Sequence, residues 1–546
     1  MKKFRVIAPS WSELSADMQV ETGSKYSAFI QLGGIPLYKH ILRHYESIRS
    51  DTEFVFVLPV SAPELEYSLI TGFDVSIIKI EESKSIGDTV LQAIEKSQPS
   101  QAILVHMADT LLSVPKIDQL DTIYIQLRTD LYRWTSIEKK ENGQVRVLID
   151  RDHRTAGFEQ AVCVGVFTFS DGSYFQNQLS ESTKFDSTAI DPFFKAVELY
   201  SNKYSVDLIE PDFWYDCGHV DSFYESRLNF HNLRHFNSLS YDPVKGLVTK
   251  RSKNSEDFRH QVRWFKQVPD EMAPFLPRIY ESSDGESPYI TMELLSIPTL
   301  SELFVNRRLE LGAWNDVANK ILYIQSLLSK YAFKSKINQN IAYQIYMEKT
   351  NGRILEYIKQ HPVAVDIWIL VSGRRMSLSK VLLTLDSYVD QSGLLTPDAL
   401  TPIHGDMCFS NLLYDARGRN IKLIDPRGEF GIPGIYGDPR YDNAKLMHSY
   451  AGGYDLIVSD HFEVAVDSSG LLRCTVQMTD YHHKVRQILD AVLFKEDKGR
   501  RQCDAVQALL FLSMLPLHCD KPKRQLAMLY IGLNLYAKNL MDGKYI

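Results

Sequence analysis

Alternation of short β-branched strands with helical stretches restricts the fold of the first hundred residues more than any other feature of the chain. The strands are expected at residues 4–8, 53–58, 75–80 and 102–106, with helices such as 36–47 and 86–96 between them. Strands that alternate with helices form βαβ units, which place parallel strands in one sheet covered on both faces. We therefore predict an α/β domain with a mostly parallel sheet.

The pattern changes near residue 236. A hairpin at 237–252 and a helix at 255–266 come first, followed by strands within 277–282 and 288–295 and then mostly helix. Strands first and helices later predict an α+β domain in which a small β-rich lobe packs on a large helical lobe. We predict domains 1–236 and 237–546, with the lobes of the second meeting near residue 298.

Composition excludes several classes of protein. The chain of 546 residues carries a formal charge of −7 and is 44% hydrophobic, so it is not a disordered chain, and no general attraction to nucleic acid or anionic membranes is expected. The longest apolar stretch, 508–517, is too short to span a membrane, and we expect a buried helix there. Six widely spaced cysteines without a C-x-x-C pair favour a reducing cytoplasm. The oligomeric state stays open.

Segment 399–431 carries the strongest chemical pattern. Asp406 precedes Asn411 by five residues, and Asp425 follows fourteen residues later, at the end of an apolar strand. A phosphoryl-transfer site needs an Asp that accepts the proton of the attacking hydroxyl, an Asn that holds metal and a second Asp that bridges Mg²⁺ to the phosphates. The alternative is a solvated turn that contains these residue types by chance.

This segment resembles the aminoglycoside phosphotransferase and choline kinase family, whose H-G-D-x-x-x-x-N loop and I-D motif it matches. The resemblance implies a bilobal kinase-like fold that uses ATP as phosphoryl donor. It also implies that Asp406 is the catalytic base, that His404 orients the loop, and that Asn411 and Asp425 are Mg²⁺ ligands.

Features upstream extend this resemblance. The run PYITMELL resembles the strand and hinge that bind adenine, with Met292, Glu293 and Leu294 at the hinge. Lys250 resembles the small-lobe lysine that pairs with the ATP phosphates, and Lys253 competes for that role.

One position departs from the family pattern, and two acids leave alternatives open. Gln261 stands where the glutamate partner of the phosphate-binding lysine is expected, and Glu256 is the possible substitute. An amide can hydrogen-bond the lysine but supplies no charge. Asp438 and Asp442 are either residues of the substrate pocket and its surroundings or acids that cap a helix.

In the first half, three pieces resemble the sugar-phosphate nucleotidyltransferase family: LGGIPLYKHIL, LVHMADTLLS and FWYDCGHVDSFYES. The resemblance implies that Asp109 and Asp216 hold Mg²⁺ at the triphosphate of a second nucleotide, possibly CTP. The piece IGDTVLQAIE at 86–95 resembles the base-recognition turn of that family.

The phosphate-binding loop of the first half departs from the family. Residues 7–29 contain a single glycine, Gly23, and no arginine, and Lys25 is the remaining candidate for phosphate contact. The acids Glu13, Asp17 and Glu21 in the same loop would repel a triphosphate. An active nucleotidyltransferase, a domain with an altered substrate and a catalytically silent domain all stay open.

The two resemblances together indicate a bifunctional enzyme. A kinase that phosphorylates a small alcohol or sugar makes the phosphate ester that a nucleotidyltransferase requires, and the joint product would be a nucleotide-activated sugar, polyol or amino alcohol for surface polysaccharides. The alternatives are a kinase with a silent N-terminal scaffold and a non-enzymatic protein that binds nucleotide. The acceptor cannot be identified from the sequence.

Overall fold

The computed structural model describes residues 3–32, 35–65, 72–97, 101–113, 119–129, 134–148, 159–184, 190–232, 237–242, 245–252, 255–333, 338–431, 433–494, 497–519 and 521–542. The chain divides into two compact units, Met1–Leu233 and Arg234–Ile546. The predicted boundary at 236, the glycine pair 33–34 and Lys253 lie outside the described residues.

The first unit is built on one large sheet. The strands of the first unit, β1 to β13, are Phe4–Pro9, Gln31–Leu32, Ile35–Pro36, Thr52–Pro59, Asp74–Ile80, Ala102–His106, Thr110–Leu112, Thr122–Arg128, Ser136–Lys139, Val145–Leu148, Gln160–Phe169, Asp207–Ile209 and Trp214–Asp216. Strands β6, β1, β4 and β5 are adjacent in that order and parallel. Strand β11 pairs antiparallel with β6 and extends the sheet through β8 and β9. The short pair β7–β13 lies outside this sheet.

Helices cover both faces of the parallel block. Helices α1 to α6 are Ala16–Thr22, Leu37–His44, Ile86–Glu95, Gly172–Thr183, Pro192–Tyr200 and Val220–Asn232. Alternate residues of β1 enter two different cores: Phe4 and Val6 pack on one face, whereas Ile7 packs on the other. A parallel strand buried on both faces is mostly apolar, as this sequence is apart from Arg5, which pairs with Glu53 of β4.

The second unit begins with a four-stranded antiparallel sheet. Strands β14 to β17 are Asn237–Asp242, Leu247–Ser252, Ile279–Ser283 and Tyr289–Glu293, in the spatial order β14-β15-β17-β16. Helix α7, Ser255–Gln267, packs Phe258 and Val262 against Ile290 and Met292 of β17.

The rest of the second unit is mainly helical. Helices α8 to α17 are Leu300–Val305, Leu311–Ser329, Asn338–Tyr343, Lys349–Gln360, Leu378–Gln391, Pro439–Tyr450, Tyr454–Val458, Asp480–Leu493, Asp497–Ser513 and Pro522–Asp542. Strands β18 to β25 are Trp368–Val371, Arg374–Ser377, Thr401–Pro402, Leu412–Asp415, Asn420–Leu423, Tyr436–Gly437, Phe462–Val466 and Leu472–Val476. Most of these strands form short two-stranded pairs among the helices.

The α/β class predicted for the first unit is confirmed, and the parallel order holds for the block formed by β6, β1, β4 and β5. The expected helix 36–47 ends earlier, at His44, and continues as a 3₁₀ turn over Glu46–Asp51. Segment 508–517 spans the end of α16 and the following 3₁₀ turn, and it is buried except for Leu517. Among the described residues, none of the helices has the length and apolar character needed to cross a membrane. All six cysteines are free thiols.

Candidate functional site

The hairpin of β21 and β22 brings two of the predicted metal ligands side by side. Leu412 pairs with Leu423, and the Ile424 N–H donates to the Asn411 carbonyl over 3.0 Å. Asn411 therefore stands at the start of one strand and Asp425 just past the end of its partner. An interval of fourteen residues in sequence is closed by the hairpin.

His404 holds the loop that carries Asp406. Its ring is completely buried, with Nε2 2.9 Å from the Ile424 carbonyl and Nδ1 3.3 Å from the Asp406 N–H. These partners require a neutral imidazole with the proton on Nε2. Burial lowers the pKa of His404 to about 4, which keeps the ring neutral. His404 is thus a buried residue that holds the loop through hydrogen bonds, and its role in catalysis stays a prediction.

Asp442 supports the same loop from helix α13. Its two carboxylate oxygens accept the N–H groups of His404 and Gly405, each over 2.7 Å. Burial raises the pKa of Asp442 to about 7. Asp438, by contrast, caps α13 by accepting the Arg440 N–H over 2.9 Å. The two acids left open by the sequence therefore have different tasks.

Gly405 cannot be replaced by a residue with a side chain. Its φ is +77°, and a Cβ at this position would lie 1.8 Å from Cε1 of Phe430. The left-handed backbone and the ring leave room for glycine alone. The tight turn between His404 and Asp406 depends on it.

Asp406 has one free carboxylate oxygen. Lys445 Nζ lies 2.8 Å from Oδ1, and the Asn411 side-chain amide donates to the Asp406 backbone carbonyl over 2.8 Å. Burial raises the pKa of Asp406, but Lys445 and Arg427 lower it more and hold it well below its usual range. Among the described residues no group donates a hydrogen bond to Oδ2. An ionised carboxylate with one free oxygen can accept a hydrogen bond from a substrate hydroxyl.

Lys250 and Asp425 form a close ion pair. Lys250 Nζ lies 2.6 Å from Asp425 Oδ1, and Lys250 is 6% exposed. Asp425 has φ +57°, an uncommon conformation for a residue with a side chain and one that often marks a functional site. The pair joins strand β15 to the segment that follows β22.

The expected partners of Lys250 have other roles. The Gln261 side-chain amide donates to the Pro426 carbonyl over 3.0 Å. Glu256 is exposed and forms no ion pair with Lys250. The charge partner of the lysine is therefore Asp425, because α7 presents an amide to the loop instead of a carboxylate to the strand.

The backbone donors at the expected hinge already have acceptors. The Glu293 N–H donates to the Arg278 carbonyl over 2.8 Å, and the Leu294 N–H donates to the Gly246 carbonyl over 2.9 Å. The Met292 side chain belongs to the core beneath α7. An adenine docked at this strand would have to use backbone groups beyond Leu294.

Asn411 and Asp425 fit a magnesium ion. Mg²⁺ prefers hard oxygen ligands and usually keeps several waters, with one or two protein carboxylates and substrate phosphates. The Asn411 amide nitrogen is bound to the loop, which leaves its Oδ1 as the ligand, and Asp425 keeps Oδ2 beside the Lys250 pair. Within the described parts of the chain, no cluster of three or more His, Cys, Asp or Glu could hold a metal without such phosphates.

In the first unit, Asp109 and Asp216 converge at Gly218. A Cβ at Gly218 would lie 2.7 Å from Asp109 Oδ2 and 3.4 Å from Asp216 Oδ1. Burial and the nearby Asp216 carboxylate raise the pKa of Asp109 to about 6. His219 Nδ1 lies 2.9 Å from Asp216 Oδ2. Two adjacent carboxylates that repel each other fit a divalent cation.

A cleft of about 400 Å³ opens beside Asp216. Trp214 and Arg128 contribute to its wall, and the Arg128 guanidinium stacks on the ring of Trp214 at 5.9 Å. The volume falls within the range of small-molecule sites.

Lys25 does not present a free ammonium. It lies 2.7 Å from Glu13 Oε1, and this hydrogen bond raises the pKa of Lys25. Both side chains are about half exposed. The base-recognition turn expected at 86–95 is also engaged, because Asp191 accepts the N–H groups of Ile86 and Gly87. A nucleotide would have to displace these contacts or bind elsewhere.

Comparison with solved structures finds similar chains for about two fifths of this one. A nucleoside-diphosphate-sugar pyrophosphorylase from Vibrio cholerae RC9 is 15% identical, over 41% of this chain and 99% of that one, with a TM-score of 0.33. CTP:phosphocholine cytidylyltransferase from Streptococcus pneumoniae is 13% identical, over 42% and 99%, with a TM-score of 0.33. An inositol-1-phosphate CTP transferase from T. maritima is 14% identical, over 42% and 96%, with a TM-score of 0.32. No protein-family profile and no curated protein matches the chain.

Sequence reasoning missed Lys445, Arg427 and His219. Lys445 stands three residues after Asp442 on helix α13, so both face the loop at helical spacing, and this periodicity could have indicated it. His219 follows Asp216 by three residues within the quoted motif. Arg427 lies in the D-P-R-G segment, where nothing in the spacing distinguishes it from a surface arginine.

Proposed function

We propose that the chain is a bifunctional enzyme whose second unit transfers the γ-phosphoryl group of ATP to a small alcohol or sugar. The observation that carries this proposal is the Asp406 carboxylate, held by Lys445 through Oδ1 and open at Oδ2, on a loop bonded to Asn411. The paired strands place Asp425 next to that loop. The arrangement supports a kinase-like bilobal domain, with a small lobe at about 237–298 and a large lobe at about 299–546.

In this reaction Asp406 Oδ2 accepts a hydrogen bond from the acceptor hydroxyl and takes its proton as the new bond forms. The acceptor oxygen bonds to the γ-phosphorus, the bond from that phosphorus to the β–γ bridging oxygen breaks, and ADP leaves with the electron pair. Lys250 would move from Asp425 to the phosphates. Mg²⁺ at Asn411 and Asp425 would neutralise phosphate charge when bound.

For the first unit we propose nucleotidyl transfer. The phosphate oxygen of the ester attacks the α-phosphorus of a nucleoside triphosphate, such as CTP, and the bond to the α–β bridging oxygen breaks to release pyrophosphate. The convergent pair Asp109 and Asp216 supports a cation-binding role here. The product would be a nucleotide-activated sugar, polyol or amino alcohol made in the cytoplasm for surface polysaccharides.

A second candidate is a kinase with a silent N-terminal scaffold. The pairing of Lys25 with Glu13 favours it, because loop 7–29 contains no other lysine or arginine that could meet a triphosphate. Arg5 is itself buried against Glu53.

One two-stage assay tests both proposals. The full chain is incubated with ATP, Mg²⁺ and a panel of sugars and polyols, and ADP is measured; each nucleoside triphosphate is then added and pyrophosphate is measured. ADP that forms only with an acceptor supports the kinase, and subsequent pyrophosphate supports the transferase. Formation of ADP without pyrophosphate for any nucleotide favours the scaffold. The absence of both ADP and pyrophosphate would refute the bifunctional proposal.

A further inference from the structure

Three cations from different elements of the second unit converge around one buried tyrosine. Lys349 Nζ lies 3.2 Å and Arg427 Nη1 lies 3.4 Å from the Tyr441 hydroxyl, and Lys445 stands one helical turn after Tyr441 on α13. Tyr441 is 4% exposed. We call Lys349, Arg427, Lys445 and Tyr441 the cation cluster.

The positive charge of the cation cluster is only partly offset, by the Asp406 and Asp257 carboxylates near Arg427. Lys445 pairs with Asp406, but neither Lys349 nor Arg427 forms an ion pair with any carboxylate among the described residues. Burial lowers the pKa of Lys349, and the nearby Arg427 lowers it further. Burial raises the pKa of Tyr441, but the three cations lower it more, to about 7. Like charges that lie close together repel one another, so an excess of cations favours the binding of an anion.

The cation cluster adjoins the proposed base on the side of the helical lobe. Lys445 bonds directly to Asp406, and the Arg427 backbone N–H donates to the His404 carbonyl over 2.9 Å. The Arg427 side chain is exposed, which gives the cluster an opening to solvent. Lys250, the cation expected at the ATP phosphates, comes instead from the small-lobe sheet.

The backbone before Lys349 is also unusual. Residues Gln344–Glu348 form a π-helical turn between α10 and α11, and Lys349 is the first residue after it. Such turns occur often at functional sites, because the extra residue redirects the side chains that follow. The π-helical turn and the cation cluster are two independent structural observations, and both involve Lys349.

We propose that Lys349, Arg427 and Tyr441 bind an anionic group of the alcohol that is phosphorylated, so that the acceptor carries a carboxylate or a phosphate; this rests on the proposed kinase function. The guanidinium offers two parallel N–H donors to an oxyanion, and the ammonium adds a point charge. The acceptor hydroxyl then meets Asp406 Oδ2 while its anionic end is held in the cation cluster.

Matched acceptors and variants of the full chain test this assignment. Phosphorylation of glycerol, D-glycerate and glycerol 3-phosphate is measured for wild type, Lys349→Met and Arg427→Met. Lys359→Met, an exposed position on the same helix, is the control. We expect at least one anionic acceptor to exceed glycerol by tenfold or more in kcat/KM, since one charge-assisted hydrogen bond contributes about ten- to a hundredfold.

The two cluster variants should raise KM for the anionic acceptor by about tenfold or more and leave KM for ATP unchanged. An increase in KM for ATP instead would assign the cations to the γ-phosphate and overturn the proposal. Equal use of glycerol and both anionic acceptors would overturn it as well.

A direct titration separates this proposal from the kinase function. Inorganic phosphate and D-glycerate are titrated calorimetrically into wild type, Lys359→Met and the double variant Lys349→Met/Arg427→Met. Binding that is lost only in the double variant supports the anion site, even when no acceptor is phosphorylated. The missing phosphorylation would then count against the kinase function and not against the anion site. Absence of binding to folded wild type overturns the anion site.

Discussion

Single atoms decide what the proposed kinase loop can do. Asp406 Oδ1 is held by Lys445 and Oδ2 is open, and the Asn411 amide nitrogen is fixed while its oxygen is open. The sequence predicts the residue types and their order, because the motif is local. It could not predict which oxygen is free, because that depends on Lys445, which lies 39 residues after Asp406 in the sequence.

We predict different consequences for the two aspartates of this loop. Asp406→Asn should lower the phosphorylation rate by about 10² to 10⁴ and leave ATP binding nearly intact, because only the proton acceptor is lost. Asp425→Ala should weaken Mg·ATP binding as well as turnover. Nucleotide affinity measured by calorimetry with Mg²⁺ separates the two, and equal loss of affinity in both variants would contradict these roles.

Gly218→Ala is expected to disable the first unit without unfolding it. The new methyl group would lie 2.7 Å from Asp109 Oδ2, where it forces the two carboxylates apart. Pyrophosphate release should fall at least tenfold, since a displacement of about 1 Å at a catalytic centre can cost 10²-fold. Gly352→Ala, at a helical position with nothing within 4 Å of the added methyl group, is the control in the second unit, and it should leave pyrophosphate release unchanged.

At the scale of elements, the strands of the first unit were predictable because buried parallel strands are mostly apolar. Strand β6 was predicted at 102–106 and is observed there. The antiparallel extension through β8 and β9 was not predicted, because nothing local in the sequence states which strand pairs with β11. Helix α7 was predicted within one residue, but its contact with segment 399–431 was not.

That contact leads to a prediction about Trp264. Its Nε1–H donates to the Ile403 carbonyl over 2.7 Å, and the residue is 1% exposed. Trp264→Phe leaves a buried carbonyl without a donor, which should cost about 1–3 kcal/mol of unfolding free energy. The loss should appear in denaturant titrations of the full chain.

Trp368→Phe is the matched control, since it removes the same atoms from a half-buried ring bonded to the Ser469 carbonyl. A smaller loss of unfolding free energy is expected there, because solvent can replace the bond. If Trp368→Phe is as destabilising as Trp264→Phe, the hydrogen bond to the Ile403 carbonyl contributes no more to the unfolding free energy than a partly exposed one.

At the scale of the whole molecule, each unit carries its own candidate centre. Asp109→Ala should abolish pyrophosphate release but leave acceptor-dependent ADP formation within about twofold, as expected for two sites that share no residues and do not couple. Asp406→Asn should do the reverse when the phosphate ester is supplied. Loss of both activities in Asp109→Ala, with an unchanged circular dichroism spectrum, would refute two separate sites.

Each unit also contains a completely buried neutral histidine, which makes stability depend on pH. Burial lowers the pKa of His106 to about 3 and that of His404 to about 4, below the value of 6.5 for a free imidazole. A lowered pKa contributes stability that is present above pH 6.5 and is lost as pH falls toward the folded value. At pH 5 each histidine should forfeit about 2 kcal/mol.

Scanning calorimetry between pH 8 and 5 measures this effect. The raised pKa values of Asp109 and Asp442 stabilise the same units as pH falls, so each histidine is isolated by comparing wild type with His106→Gln and His404→Gln. We expect the melting temperature of wild type to fall more, or to rise less, between pH 7 and pH 5 than that of the variant in the same unit. An equal change in wild type and variant would show that the corresponding ring does not stay neutral in the folded chain.

The ion pair of Lys250 and Asp425 has a consequence for the order in which ligands arrive. Before nucleotide binds, each group neutralises the other, so free Mg²⁺ meets a ligand that already has a cation at 2.6 Å. In the proposed kinase reaction a triphosphate would draw the lysine away and offer oxygens to the metal in the same event. The proposed site would thereby be insulated from changes in free divalent cations and would respond to the preformed metal–nucleotide complex.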